Sequence, residues 1–191
     1  MKRSIAIASW VLAAACMSLP AQPTAIELDP AQTHIDFTLS ATLHTVHGTF
    51  RLKRGTIRFD PATGKASGEV VVDATSGESG NGSRDSKMHQ SVLESGRYPE
   101  IVFRPDAVTG ALAGPGPWHV QVHGWFKIHG AEHELVLPVE AQVGPDRVTV
   151  VTRFAVPYAK WGMKNPSTFL LRVDETVGLE IHAAGRVVAE P

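Results

Sequence analysis

Residues 118–143 read WHVQVHGWFKIHGAEHELVLPVEAQV, and the alternation in this stretch decides the fold. Trp118, Val120, Val122, Gly124, Phe126 and Ile128 share one face, while His119, Gln121, His123, Trp125, Lys127 and His129 share the other. A period of two with one apolar side is the mark of a strand buried on one face. Leu135, Leu137, Val139, Ala141 and Val143 repeat it. If Gly130-Ala131 is a two-residue turn with glycine at its first central position, the two runs form a type II′ hairpin. That register sets Phe126 against Leu135, Val122 against Val139 and Trp118 against Val143. It also places Lys127 opposite Glu134 on the outer face, a favourable charge pair.

Working outward, the Gly144-Pro145-Asp146-Arg147 loop pairs Val143 with Val148 and brings Val150, Phe154 and Val156 onto the same inner face. Upstream, Thr33 to Ser40 puts Ile35, Phe37 and Leu39 on one side and His34, Asp36 and Thr38 on the other. Ile57 and Phe59 precede the turn composition Asp60-Pro61-Ala62-Thr63-Gly64, and a strand from Gly68 to Ala74 follows it. Ile101 and Phe103 open another after Tyr98-Pro99, and Val177 to Ala183, continuing toward Val187, forms the last. One helix is expected, with Ser83 as its N-cap, Asp85 at the positive end of its dipole, Met88, Val92 and Leu93 as its apolar stripe, and Gly96 at its end. Pro157 to Val173 is irregular. The count is about eight strands, so the expected fold is all-β, an antiparallel barrel with one short helix. Eight is the number at which a closed barrel can hold one small ligand, and closure removes exposed edges. Small inner residues such as Gly124 and Ala141 leave room for a tunnel, although glycine in a strand also marks bulges.

The 191 residues, 43% hydrophobic and 19% charged, suit one globular domain. A net charge of −1 supplies no basic field for a phosphate backbone, which excludes nucleic acid as an expected partner. Lys2 and Arg3 precede the apolar run Ile5 to Ala15, too short to span a bilayer but suited to an export signal. Residues 1–25 are therefore read as a signal peptide, with possible cleavage points at the small residues Ala13 and Ala15 or at the end of the segment at Ala21 or Ala25, and 26–191 as the barrel domain. A lipoprotein signal ending before Cys16 is the less favoured alternative. Cys16 is the single cysteine, so no intrachain disulfide can form.

Nine histidines invite a metal site. His119 and His123 share a face, but at ~3.3 Å per residue their Cα atoms stand roughly 13 Å apart, too far to ligate one ion. His129, expected opposite Glu132, and His133 flank the turn as solvated rim residues, and no metal or other cofactor is expected. Ser83, Asp85 and His89 near one helix start raise catalysis. No nucleophile elbow surrounds Ser83, capping accounts for it, and no catalytic residue is assigned. Arg84 and Asp85 are expected to tie the helix to its loop.

Candidate lining residues follow from alternation alone: Ile35, Phe37, Leu39, Phe50, Ile101, Phe103, Val122, Phe126, Ile128, Leu135, Leu137 and Phe154. Trp161 and Phe169, in the irregular segment, would form a mouth or lid, or pack over the barrel end. Patterning by itself allows all of them to fill a dry core.

The chain resembles the YceI-like family of periplasmic polyisoprenoid-binding proteins from about Ile26 to Val188. The likeness is carried by Leu28-Asp29-Pro30 with Thr33-His34-Ile35-Asp36-Phe37, by Val46-His47-Gly48-Thr49-Phe50, and by Gly55-Thr56-Ile57-Arg58-Phe59-Asp60-Pro61. It continues through Arg84-Asp85 and Met88-His89 to Tyr98-Pro99-Glu100-Ile101-Val102-Phe103, then Ile128-His129-Gly130 leading to Leu135–Pro138. The resemblance implies an extended lipocalin-like barrel, not an enzyme, whose tunnel binds, stores or carries a long isoprenoid lipid or isoprenoid quinone in the periplasm. A non-enzymatic structural adaptor for a membrane redox protein is the alternative reading. Monomer and homodimer are both left open by the sequence.

Overall fold

The computed structural model describes residues 24–110 and 116–189. Its strands are β1 (Thr24–Leu28), β2 (His34–Ser40), β3 (Thr45–Phe59), β4 (Ala66–Glu78), β5 (Glu100–Gly110), β6 (Gly116–Ile128), β7 (Ala131–Val143), β8 (Arg147–Val156) and β9 (Val177–Ala189), with helix α1 at Gly82–Lys87. They form one sheet in the order β1-β3-β2-β9-β8-β7-β6-β5-β4, and the pairing of β3 with β4 closes it into an antiparallel barrel. The expected export signal lies outside the described residues except at Thr24 and Ala25, which already belong to β1.

β1 and β2 are two halves of one stave. Ile26 pairs with Ile57 and Val187, and Phe37 pairs with Gly48 and Leu179, so β3 and β9 flank both halves. The break is a single turn over Pro30–Gln32, where the Asp29 carboxylate accepts from the Ala31 amide at 2.9 Å. Counted this way the barrel has eight staves, and its shape is lipocalin-like.

The β6–β7 hairpin corrects the expected register. His129 (φ 51°) and Gly130 (φ 80°) both take left-handed conformations, which makes the turn type I′ with His129-Gly130 at its centre. Phe126 therefore faces His133, Val122 faces Leu137, Trp118 faces Ala141, and Lys127 faces Glu132. The shift is two residues, so every side chain keeps its face. Glu134 stands opposite Trp125, and the expected pair with Lys127 is not formed. His129 does not lie opposite Glu132; its Nε2 stands 3.3 Å from Glu94, and the Tyr98 ring packs against it, tilted by 55° with centroids 4.9 Å apart. The β7–β8 loop pairs Val143 with Val148 as expected.

The helix also differs in its caps. Asn81, not Ser83, accepts from the Arg84 amide at 3.1 Å, and α1 runs on into a π-turn at Met88–Val92. The chain leaves it at Glu94 (φ 46°) rather than at Gly96. Asp85 accepts from the Ser79 amide at 2.9 Å and from its hydroxyl, while Arg84 donates to the Ser79 carbonyl and Oγ, tying helix to loop.

Packing divides the interior. At the end carrying the β3–β4 turn, Phe59, Val108 and Val120 form a solid layer with Trp118 edge-on to Phe59 at 5.8 Å. Midway, Gly124 leaves no tunnel. It lies opposite a bulge between Pro105 and Ala107, and a Cβ there would meet the Arg104 carbonyl oxygen at 2.4 Å and the Phe103 ring at 2.8 Å. Outside, ion pairs such as Arg104–Glu132 (2.9 Å) and Lys53–Glu100 (2.7 Å) cover the staves. His123 is held between Asp106 (2.5 Å) and Glu134 (2.8 Å).

Two predictions follow from this geometry. Gly124→Ala should destabilise the barrel by about 1–3 kcal/mol in urea unfolding, since backbone must move to admit the methyl group. The hydrogen bond to Asp106, then that to Glu134, raises the His123 pKa above its ordinary 6.5. A pKa raised by folding gives stability that is full below pH 6.5 and fades as pH climbs through the folded value. The melting-temperature advantage over His123→Asn should therefore be largest in acid and shrink toward alkaline pH.

Candidate ligand cavity

The other half of the barrel is hollow. An apolar cavity of about 420 Å³ opens at the end that carries the β2–β3 hairpin, α1 and the β8–β9 connection. β2 gives it depth. Ile35, Phe37, Leu39 and, past the strand end, Ala41 line one wall at every second residue, a span of roughly 20 Å at ~3.3 Å per residue. β9 contributes Val177, Leu179 and Ile181 beside them, and β8 contributes Phe154 and Val156. Phe50, Ile101, Phe126 and Ile128 complete the part that alternation identified.

Two glycines keep this space open. The Phe37 ring sits where a Gly48 side chain would be, its Cζ 2.3 Å from the ideal Cβ position, and the Phe50 ring does the same at Gly77, at 2.5 Å. Each phenyl group can lie against the wall because the neighbouring residue has no Cβ. The two rings meet at 5.4 Å.

Six of the named candidates lie elsewhere. Phe103, Val122, Leu135 and Leu137 belong to the packed part of the interior, and β7 contributes nothing to the cavity wall. Trp161 stacks flat on His133 (4.0 Å, 4° between planes) and lies 5.9 Å from Phe126, packed on the core beside the cavity without lining it. Phe169 is 99% exposed and covers nothing.

The segment between β8 and β9 closes part of the mouth. Tyr158 and Met163 are almost fully buried and line the cavity. The Tyr158 hydroxyl donates to the Asp174 carbonyl at 2.6 Å, and burial, with Glu175 and Asp174 nearby, pushes its pKa up to about 12. Tyr158 is therefore a neutral donor at any physiological pH. Asp174 N–H donates to Ser40, which anchors the segment to the end of β2. Lys87 bridges the mouth by donating from Nζ to the Pro166 carbonyl at 3.0 Å. The rest of the rim is polar, with Ser79, Asn81, Ser83 and Arg84 on the α1 side and His44 on the β2–β3 hairpin.

Sequence reasoning did not nominate Val177, Leu179 and Ile181, although the alternation of the last strand contained them. Met88, Val92 and Leu93 were read as the helix stripe, and that stripe faces the cavity. Tyr158, Met163 and Val173 carry no periodic signal.

Ser83, Asp85 and His89 do not assemble. Asp85 binds Ser79, and His89 Nε2–H donates to the Gly77 carbonyl at 2.8 Å, which leaves Nδ1 to accept from Ser95 at 2.9 Å. Among the described residues no group of three or more His, Cys, Asp or Glu side chains could hold a metal ion.

Comparison with known proteins bears first on the fold. BcnA of Burkholderia cenocepacia superposes with a TM-score of 0.66 at 16% identity, over 82% of this chain and 98% of that one. A polyisoprenoid binding domain from Saccharophagus degradans, implicated in plant cell wall breakdown, gives 0.67 at 18% identity, over 85% and 98%. The YCEI protein of Campylobacter jejuni gives 0.54 at 14% identity, over the whole of both chains. No curated protein sequence matches. The model of the YceI-like domain matches residues 27–184, from β1 into β9, and the chain therefore belongs to the YceI-like family.

Proposed function

We propose that this protein binds a long isoprenoid lipid, a polyisoprenoid or the tail of an isoprenoid quinone, and stores or carries it in the periplasm without catalysing a reaction on it. The observation that carries the reading is the hollow half of the barrel, deep, apolar along β2 and β9, and polar only at its rim. Each CH₂-sized unit taken out of water contributes about 0.8 kcal/mol, so a wall apolar along its whole depth favours an extended hydrocarbon over a compact polar ligand. Its volume falls in the ordinary range for small-molecule sites, ~300–1,000 Å³. The solid layer of Phe59, Val108 and Val120 closes the far end, so a tail longer than the shaft leaves its remainder and headgroup at the mouth. The polyisoprenoid binding domain from Saccharophagus degradans supports the same ligand class.

Periplasmic residence rests on the N-terminal pattern. Of the possible cleavage points, we place the cut after Ala21. Ala25 is 5% exposed and pairs with Arg58 and Val188, so a cut after it would remove Thr24 and Ala25, two of the five residues of β1.

Protein exported in a Gram-negative host should release an apolar molecule of several hundred daltons or more on organic extraction, detected by mass spectrometry. Delipidated protein should melt lower than loaded protein, because ligand bound only to the folded state stabilises it. Leu179→Trp, which fills the shaft, should abolish loading. Gly77→Ala, which pushes the Phe50 ring into the shaft, should reduce it several-fold while the protein stays folded. An empty native protein, or full loading of Leu179→Trp, would exclude the carrier and leave the structural adaptor.

A further inference from the structure

Three large apolar side chains stand almost wholly in solvent around the cavity mouth: Leu43 (78% exposed), Phe169 (99%) and Leu170 (84%). Isolated apolar residues on a surface need no explanation, but these three are gathered by structure. Phe169 and Leu170 are the two central residues of a turn in which the Thr168 amide donates to the Leu171 carbonyl at 2.8 Å and the Leu171 amide to Thr168 Oγ1 at 3.1 Å. Leu43 is at the tip of the β2–β3 hairpin. The two tips are joined: the Thr42 amide donates to the Arg172 carbonyl at 2.9 Å, and Ala41 bridges to Val173. Ala41, His44, Leu171 and Val173, immediately beside the exposed residues, line the cavity. Leu170 is followed directly by the cavity-lining Leu171, so apolar side chains lead from this tip toward the shaft, beside the polar His44 of the rim.

Charge is arranged around the same end. Residues 157–173 contain Lys160, Lys164 and Arg172 and no acidic residue, and α1 adds Arg84 and Lys87 against a single Asp85 that is bound to Ser79. Asp174 and Glu175 follow directly after Val173, and the Asp174 amide donates to the Ser40 carbonyl at the end of β2. Residues 157–175 and α1 together carry five cations and three carboxylates, a modest local excess of positive charge on a chain whose net charge is −1.

We propose that this end of the barrel docks on an anionic phospholipid bilayer, with Leu43, Phe169 and Leu170 inserting between headgroups while Lys160, Lys164 and Arg172 meet the lipid phosphates. The proposal rests on the lipid-binding reading and extends it: a ligand would pass between bilayer and shaft along apolar surface instead of through water. Two protruding tips suit the headgroup layer better than a protein partner, since a stable protein interface needs well over ~1,000 Å² of matched surface. Shallow insertion with flanking cations is the general chemistry of interfacial anchoring.

Sedimentation with vesicles of phosphatidylethanolamine and phosphatidylglycerol should pull down the folded protein, and pure phosphatidylcholine vesicles should do so far less. Phe169→Ser with Leu170→Ser should weaken binding by at least about tenfold for each side chain removed, with no change in melting temperature. Lys160→Gln with Lys164→Gln should weaken binding to the anionic vesicles about fivefold per charge, and added salt should act in the same direction. A tryptophan at position 169 (Phe169→Trp) should shift its emission to the blue on contact with those vesicles. Undiminished binding by the double serine variant, or no binding by the native protein, would overturn the proposal. So would self-association through these residues in sedimentation velocity without lipid, which would make the face a contact between two copies. The carrier reading is tested separately, because Leu179→Trp alters only the shaft: loss of cargo with intact vesicle binding upholds both readings, whereas an empty native protein that still binds vesicles removes the first alone.

Discussion

The hydrogen bonding of β3 to β4 is the constraint on which the rest depends. Those two strands close the sheet, and closure at eight staves fixes an interior only wide enough for side chains or one slender ligand. A void in such a barrel has to be made locally. In the half around Phe59 and Val120, side chains meet and the interior is solid. In the other half, Gly48 and Gly77 let Phe37 and Phe50 lie against the wall, and the space they vacate is the shaft. The same circumference therefore yields a floor and a cavity, and the difference lies in two missing Cβ atoms and in which neighbours accept the rings.

The mouth is organised by a different set of forces. A single β-bridge, Ala41 to Val173, pairs its cover with a strand end, and the rest is fixed by separate hydrogen bonds: Tyr158 to Asp174, Asp174 to Ser40, Thr42 to Arg172 and Lys87 to Pro166. Most of these run to backbone carbonyls or amides, which makes the cover's shape depend little on salt or pH. Tyr158 serves two purposes here, presenting its ring to the cavity and its hydroxyl to the segment that returns to β9.

Much of this was legible in the sequence, and for a definite reason. Inner and outer faces follow from a period of two, and that period survived even where the pairing did not. The hairpin turn centred on His129-Gly130 instead of Gly130-Ala131 shifts partners by two residues, which leaves Phe126, Ile128 and Leu137 inside. What alternation cannot give is depth. Phe103 and Phe126 point inward alike, yet one fills the packed region over Gly124 and the other lines the shaft, because the distinction depends on neighbours across the barrel. The irregular stretch was opaque for the opposite reason. Trp161 and Phe169 look equivalent in a sequence without periodicity, while one stacks on His133 and the other meets only solvent.

The split first stave has a bearing on when the molecule can form. β1 pairs with β9, bringing Thr24 alongside Ala189, and β2 pairs with β9 as well. The earliest and latest segments of the chain are thus adjacent staves, a connection of very high contact order. Until β9 is in place, both halves of the opening stave lack one neighbour and the ring stays unsealed. Strand order alone thus makes sealing of the ring wait on the pairing most distant in sequence, whatever the order in which the other staves assemble.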